Sequence, residues 1–312
     1  GWQSMKRVLV TGAGGFVCSN IVSSLVDHDY QVIAVDRAFD SQIVAQFAQR
    51  GVSVITSDLT QLPDIEADYV IHGAAITAGP SDSETPEDHF RGNINPALTM
   101  LGWARDHAVK RLIFISSSGV FRGSSAVVLT EETPATPQGL YPVEKHAIEL
   151  LIQTLKQQYN RDVLAVRLGN VYGCNEFVRP SRPRTSLVAR MIQDALAAGR
   201  VVVPNTPSPV DWTYAGDIGN ALHALLDEPV LQHPLYHVTS GQGFTASEIA
   251  KVLCEILPEV KSSIDYHNQV EFRGVMFPRH LLSDIKFNKW TNLRSGLLQT
   301  VNWFKGQMET SS

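Results

Sequence analysis

Tyr141 and Lys145 stand four residues apart in the run YPVEK. On a helix that spacing puts a phenol and an ammonium on one face. A free tyrosine titrates near pH ~10, so a base working at neutral pH needs a positive charge beside it, which Lys145 can supply. The pair could then take a proton from, or return it to, a substrate hydroxyl. Upstream, Ser116, Ser117 and Ser118 form an SSSG turn that could orient the same oxygen. Tyr and Lys at this spacing also occur on solvated helix faces, so the pair gains meaning only from its surroundings.

Those surroundings begin at the N-terminus. The β-branched run KRVLVT (Lys6–Thr11) is ended by Gly12, Ala13, Gly14 and Gly15, and Phe16–Val26 follows with a helical pattern. Strand, glycine turn and helix N-terminus in that order let backbone N–H groups approach a pyrophosphate. The third small position of the loop is Cys18, which reads as a small buried hydrophobe packing the helix on the strand. The next apolar run, Gln31–Val35, ends at Asp36, 24 residues after Gly12, where a carboxylate can bind the ribose hydroxyls of an adenosine. An acid there favours NAD by repelling a 2'-phosphate, whereas the adjacent Arg37 could accommodate that phosphate, so NADP stays open. With the Tyr/Lys pair, this segment points to hydride transfer on a nicotinamide cofactor.

The elements must bring these groups together. Short β-rich runs at Arg7–Val10, Gln31–Val35, Val52–Thr56, Tyr69–His72, Arg111–Ser116 and Val163–Leu168 alternate with helical patterns. Such alternation predicts an α/β fold, a doubly wound, Rossmann-like parallel sheet, with ligands beyond the carboxyl ends of its strands. The Gly12 loop, Asp36, Asp58, His72, Ser117 and the segment after Arg167 all fall at such ends. The stretch from Glu131 to Gln138 reads as a loop leading to the Tyr141 helix. His72 reads as a satisfied strand-end histidine and Arg167 as structural.

With those residues in place, the chain resembles the extended short-chain dehydrogenases/reductases of the NAD-dependent epimerase/dehydratase family, over most of its length. TGAGGF is similar to the family's cofactor loop, Asp58-Leu59 to its adenine-side pair, and HGAA (His72–Ala75) to the strand end beside the cofactor. Asn93 sits at the start of the family's helix of small residues, although Pro96 stands where glycine is usual. SSSGVF, RLGNVYG (Arg167–Gly173) and DWTYAGDIGNAL (Asp211–Leu222) complete the series. The resemblance implies cofactor contacts from Gly12, Gly14, Gly15, Phe16, Asp36, Arg37, Asp58, Leu59, Gly73, Ala74, Ala75, Asn93, Tyr141 and Lys145. It makes Ser117, Tyr141 and Lys145 catalytic, with Ser118 as the neighbouring candidate for the serine. It sets Ser117 and Ser118 toward substrate; Thr77 could contact substrate or cap the next element, and Asn170 and Tyr172 could face the substrate or serve as turn and packing residues. It also implies a dinucleotide-binding domain of residues 5–173 and 211–244, a smaller substrate lobe of 174–210 and 245–312, and a homodimer joined through two helices per subunit.

Composition agrees. The 312 residues are 44% hydrophobic and 18% charged, enough to bury a substantial core with a lobe beside it. A net charge of −5 offers no electrostatic basis for nucleic-acid binding, and no apolar run has the length of a membrane span or the pattern of a signal peptide. A cytoplasmic protein is expected. Cys18, Cys174 and Cys254 are scattered, which indicates neither a disulfide frame nor a metal site. Gly1–Ser4, ahead of Met5, reads as an appended remnant.

The substrate region is unusual. Glu176–Arg190 reads EFVRPSRPRTSLVAR and crowds Arg179, Arg182, Arg184 and Arg190, whose guanidinium groups match carboxylates or phosphates; a solvated loop is the plain alternative. Nucleotide-sugar members of the family carry an arginine before the Asp-aromatic segment, and Val210 stands there. A second family anchor is matched by Arg273 or Arg279. A small anionic carbohydrate, a sugar acid or uronate, is therefore expected ahead of a nucleotide sugar. Ser118 and Gly119 replace the Asp-Glu pair of the dehydratases, which disfavours dehydration. Three readings remain: a dehydrogenase, an epimerase that recycles its cofactor, and a non-catalytic dinucleotide sensor. The last is disfavoured because serine, tyrosine and lysine are all present.

Overall fold

The computed structural model describes residues 4–180, 182–206 and 208–312. Residues 1–3, most of the stretch read as a remnant, lie outside that range. Five strands open the chain: β1 (Arg7–Thr11), β2 (Gln31–Asp36), β3 (Ser53–Thr56), β4 (Tyr69–His72) and β5 (Arg111–Ser117). Between and after them run helices α1 (Phe16–Asp27), α2 (Ser41–Gln49), α3 (Pro86–Asp106) and α4 (Leu140–Tyr159). With strands Val163–Leu168 and Leu235–Val238, the five form a seven-stranded parallel sheet. Its order is Leu235–Val238, Val163–Leu168, β5, β4, β1, β2, β3. The order of strand connection reverses between the parallel β1 and β4, which opens a crevice at their carboxyl ends.

Period-two alternation explains the two faces of the sheet. Val8, Val10, Ile113, Ile115, Leu164 and Val166 enter one core. Leu9, Leu112, Phe114, Val163 and Ala165 enter the other. The first core is covered by α1 and the helix Ala215–Asp227, the second by α3 and α4. All six expected strands are present; the strand Leu235–Val238 has too little surrounding pattern to be read from sequence.

A third core belongs to the smaller lobe, where helices Leu187–Ala198, Ala246–Ile256 and Leu293–Thr310 pack on the parallel pair Arg200–Asn205 and Lys261–Gln269. Strand Val210–Tyr214 lies between Asn170–Tyr172 and Gly243–Phe244. One stretch departs from the expected division of the chain. Leu281, with Ile285, Phe287 and Trp290, packs on the first core of the large sheet rather than in the lobe. Among the described residues, no helix is long and apolar enough to cross a membrane.

Candidate active site

The cofactor side is built by close approach of backbone. Gly12 has φ +68°, and a Cβ there would fall 2.7 Å from the Ala74 amide nitrogen, so only glycine lets the β1 and β4 ends meet. A Cβ on Gly73 would fall 2.3 Å from Cys18 Sγ, which makes Cys18 the packing residue expected. Burial, helped by the charge of Asp36, pushes its thiol up to about 12, and it is inert at neutral pH.

Helix α1 starts at Phe16 behind Gly15, with no side-chain cap and no acid in its first turn. Its leading amides and the positive end of its dipole are thus left for an anion. Asp36 Oδ2 accepts from the Gly14 amide at 3.0 Å and Oδ1 from the Arg37 amide at 2.7 Å. Burial raises its pKa, and those amides oppose the rise. Arg37 donates to Asp58 at 3.2 Å on the surface, while Asp58 caps the short helix Leu59–Gln61. Gly15, Phe16, Leu59, Ala74 and Ala75 line the same cleft.

Tyr141, Lys145 and Ser117 converge where β5 ends. Ser117 terminates β5 and Tyr141 lies in the first turn of α4. Ser117 lies close enough to Tyr141 to lower its pKa and accepts from the Gly119 amide at 3.1 Å, whereas Ser118 accepts from Arg273 Nη1 at 3.5 Å. Lys145 lies below, 5.5 Å from the centre of the tyrosine ring, and its ammonium donates to the Ile115 carbonyl at 2.8 Å. Here the structure corrects the simple electrostatic expectation. Burial pushes the Tyr141 phenol up to about 12, against the neighbouring Ser117 hydroxyl and the charge of Arg182, and lowers the Lys145 ammonium to about 8. The lysine charge is spent on a carbonyl, so desolvation decides both values.

Two expected site residues have other work. Asn93 Oδ1 accepts from the Ile76 amide at 2.8 Å, and its Nδ2 donates to the Ile76 carbonyl and to Glu144 at 2.6 Å. Those bonds hold the loop after β4 in place, while Asn93 itself lines the cleft. Tyr172 is 1% exposed within the lobe core and does not reach the cleft. Thr77 and Asn170 do line it. His72 Nδ1 meets Thr11 Oγ1 at 2.6 Å while its buried Nε2 has no partner; burial and Lys145 hold its pKa at about 3, so it is neutral.

Sequence reasoning missed the support beneath the site. Glu144, between the tyrosine and the lysine, is fully buried and also meets His89 Nδ1 at 2.6 Å, whose Nε2 meets the Ala78 carbonyl at 2.7 Å. With an acceptor at each ring nitrogen, His89 is held protonated; burial opposes the charge, but the Ala78 and Glu144 bonds outweigh it and raise the pKa.

The arginines divide between the two ends of the cleft, which encloses about 1840 Å3. Arg273 reaches Ser118, and Arg122 is close enough to depress its pKa, although burial is the larger cause. Arg279 instead pairs with Glu132 at 3.0 Å on the surface. Arg179 and Arg182, expected at the substrate, line the cleft near the glycine loop: Arg182 lies 5.2 Å over the Phe16 ring while its charge also acts on Tyr141, and Arg179 faces the charges of Asp36 and Asp40. Only the packing of the lobe onto α1 reveals this, since both arginines sit in a loop without periodic pattern. Arg122 lay outside every motif.

A family model described as the NAD dependent epimerase/dehydratase family matches residues 8–238. The chain belongs to that family. It is an enzyme of the extended short-chain dehydrogenase/reductase type, and NAD is the family's cofactor. It is 24% identical to a trifunctional UDP-glucose 4,6-dehydratase/UDP-4-keto-6-deoxy-D-glucose 3,5-epimerase/UDP-4-keto-L-rhamnose-reductase of Arabidopsis thaliana, covering 96% of this chain and 47% of that one. It is 22% identical to the dTDP-D-glucose 4,6-dehydratase of Homo sapiens, covering 96% and 90%. Among solved structures, a UDP-N-acetylglucosamine 4-epimerase from Methanobrevibacter ruminantium, in complex with UDP-N-acetylmuramic acid, superposes with a TM-score of 0.82 at 24% identity, over 98% of this chain and 100% of that one. The residues present fit the family's dinucleotide: an uncapped α1 for the pyrophosphate, a Gly12–Ala74 approach that admits no side chain, and the Asp36 carboxylate at the end of β2.

Proposed function

We propose that the protein is an NAD-dependent oxidoreductase that moves a hydride between the nicotinamide and a hydroxyl or keto carbon of a sugar or sugar acid. The observation that carries this reading is the convergence of Ser117, at the end of β5, on Tyr141, close enough to lower the phenol's pKa against burial, with Lys145 beneath the ring. NAD, when bound, supplies the hydride acceptor. Tyr141 exchanges the proton of the reacting hydroxyl, Ser117 orients that oxygen, and Lys145 keeps positive charge under the phenol. Arg273, at Ser118, and Arg122, whose charge acts on Arg273, take a carboxylate at the far end of the substrate. Asp36 favours NAD, and Arg37, turned onto Asp58, offers NADP little. Residues 5–173 and 211–244 carry the cofactor and 174–210 with 245–312 the substrate side, except for the Leu281–Trp290 stretch. Exposed Leu98, Val143 and Leu150 on α3 and α4 support a homodimer, which we place in the cytoplasm.

The test is incubation with NAD+ and a panel of aldonic acids, uronic acids and neutral sugars, recording reduced nicotinamide. Turnover on an acid, lowered at least ~100-fold in Tyr141→Phe, is expected. Equal rates in the variant would remove Tyr141 from the mechanism. A second reading, an epimerase of a nucleotide sugar, is favoured by the activities of the relatives. Against it, Val210 lines the cleft where such enzymes carry an arginine. No net reduction, with a nucleotide sugar interconverted, would select it.

A further inference from the structure

We propose that Arg179 and Arg182 clamp the pyrophosphate of the dinucleotide from the side opposite the glycine loop, so that this arginine pair serves the cofactor. The inference rests on the family's use of NAD and concerns which residues of this chain hold it.

The backbones of Arg179 and Arg182 pair with each other in antiparallel fashion, amide to carbonyl at 2.9 and 3.0 Å in the two directions. Residues exchanging both bonds project their side chains to the same side of the ribbon. That side faces α1: Arg182 lies over Phe16, the first residue of the helix, and Arg179 stands within the field of Asp36 and Asp40 at the end of β2. Glu176 fixes the arrangement. Its buried carboxylate accepts from Arg182 Nη2 at 3.1 Å and from the Ser186 hydroxyl at 2.7 Å.

After that contact the guanidinium groups still have unused donors. Nε and Nη2 of Arg179 and Nε of Arg182 are buried without a hydrogen-bond partner. Buried charged donors are rarely left so, because an unmet donor forfeits its hydration. An anion between the loop and α1 would meet them, and the uncapped amides of the helix would meet its other side. A dinucleotide pyrophosphate carries a negative charge on each phosphate, which matches one arginine apiece. The substrate end of the same cleft has its own cations in Arg273 and Arg122, so assigning Arg179 and Arg182 to the cofactor leaves neither end without one.

The test is isothermal titration of NAD+, ADP-ribose and adenosine into the whole protein, which requires no turnover. Arg179→Ala orphans no acid, since Arg179 has no ion pair among the described residues; Arg182→Lys keeps a charge near Glu176. Each is expected to weaken NAD+ and ADP-ribose by about tenfold or more, the scale of one charge-assisted hydrogen bond, while adenosine binds as before. The salt dependence of ADP-ribose binding should also fall. ADP-ribose binding unchanged in both variants, or a loss confined to the KM of the carbohydrate, would overturn the clamp while leaving the enzyme reading intact. Failure of the unaltered protein to bind either NAD+ or ADP-ribose would sink both.

Discussion

Lys145 is the residue at which chemistry and stability conflict. Its ammonium is buried on the Ile115 carbonyl, and burial lowers its pKa from 10.5 to about 8. The folded state therefore releases this proton before the unfolded chain does. The cost of holding the charge is complete below pH 8 and fades as pH rises toward 10.5. In Lys145→Met that pH dependence disappears, so wild type should gain about 3 kcal/mol on the variant between pH 7 and pH 11. Urea unfolding of both proteins across that range measures it, and a constant gap would mean that the ammonium is not desolvated. The same variant should lose turnover, since the charge beneath Tyr141 goes with it. The pairing of a phenol with an ammonium was legible in five letters of sequence. That desolvation rather than the lysine sets the tyrosine's pKa was not, because burial is a property of what packs around a residue.

Helix α4 carries both members of that pair and is fastened by its acids. Glu149 receives Arg167 Nε and Nη2 at 2.9 and 2.7 Å together with the Ser116 hydroxyl, tying α4 to the ends of β5 and of Val163–Leu168. Burial alone would raise its pKa, but bonds from His146, Arg167 and Ser116 outweigh this and bring it from 4.5 to about 2. Its contribution to stability is complete above pH 4.5 and is lost as pH falls through about 2. Glu149→Gln should cost roughly 3 kcal/mol or more at pH 7, because Arg167 is left buried without its counter-charge, and less at pH 3. Chemical denaturation at the two pH values checks this; an equal loss at both would mean that the carboxylate charge does not matter. In the sequence Glu144 and Glu149 look like solvated helix charges. Their burial depends on residues of α3, β5 and Val163–Leu168, which are distant in the chain.

At the scale of the molecule, the cleft between sheet and lobe separates two kinds of arginine. Arg273 comes from the C-terminal segment to Ser118, 155 positions away in sequence. Arg273→Ala is expected to raise KM for a carboxylated substrate about tenfold more than for its neutral analogue, with NAD affinity unchanged. Steady-state kinetics on the two substrates decide it, and equal effects would detach the arginine from the carboxylate. The sequence by itself determined the parallel sheet, the cofactor loop, Asp36 and the Tyr141–Lys145 pair. Each is written in a short window where strand alternation, helical spacing or a run of glycines acts locally. Only the tertiary structure decided that Asn93 secures a loop, that Tyr172 belongs to the lobe core, and that Arg182 faces Phe16 while Arg273 faces Ser118. Those assignments depend on how the lobe docks on the sheet, and docking joins residues with no common periodicity to reveal it.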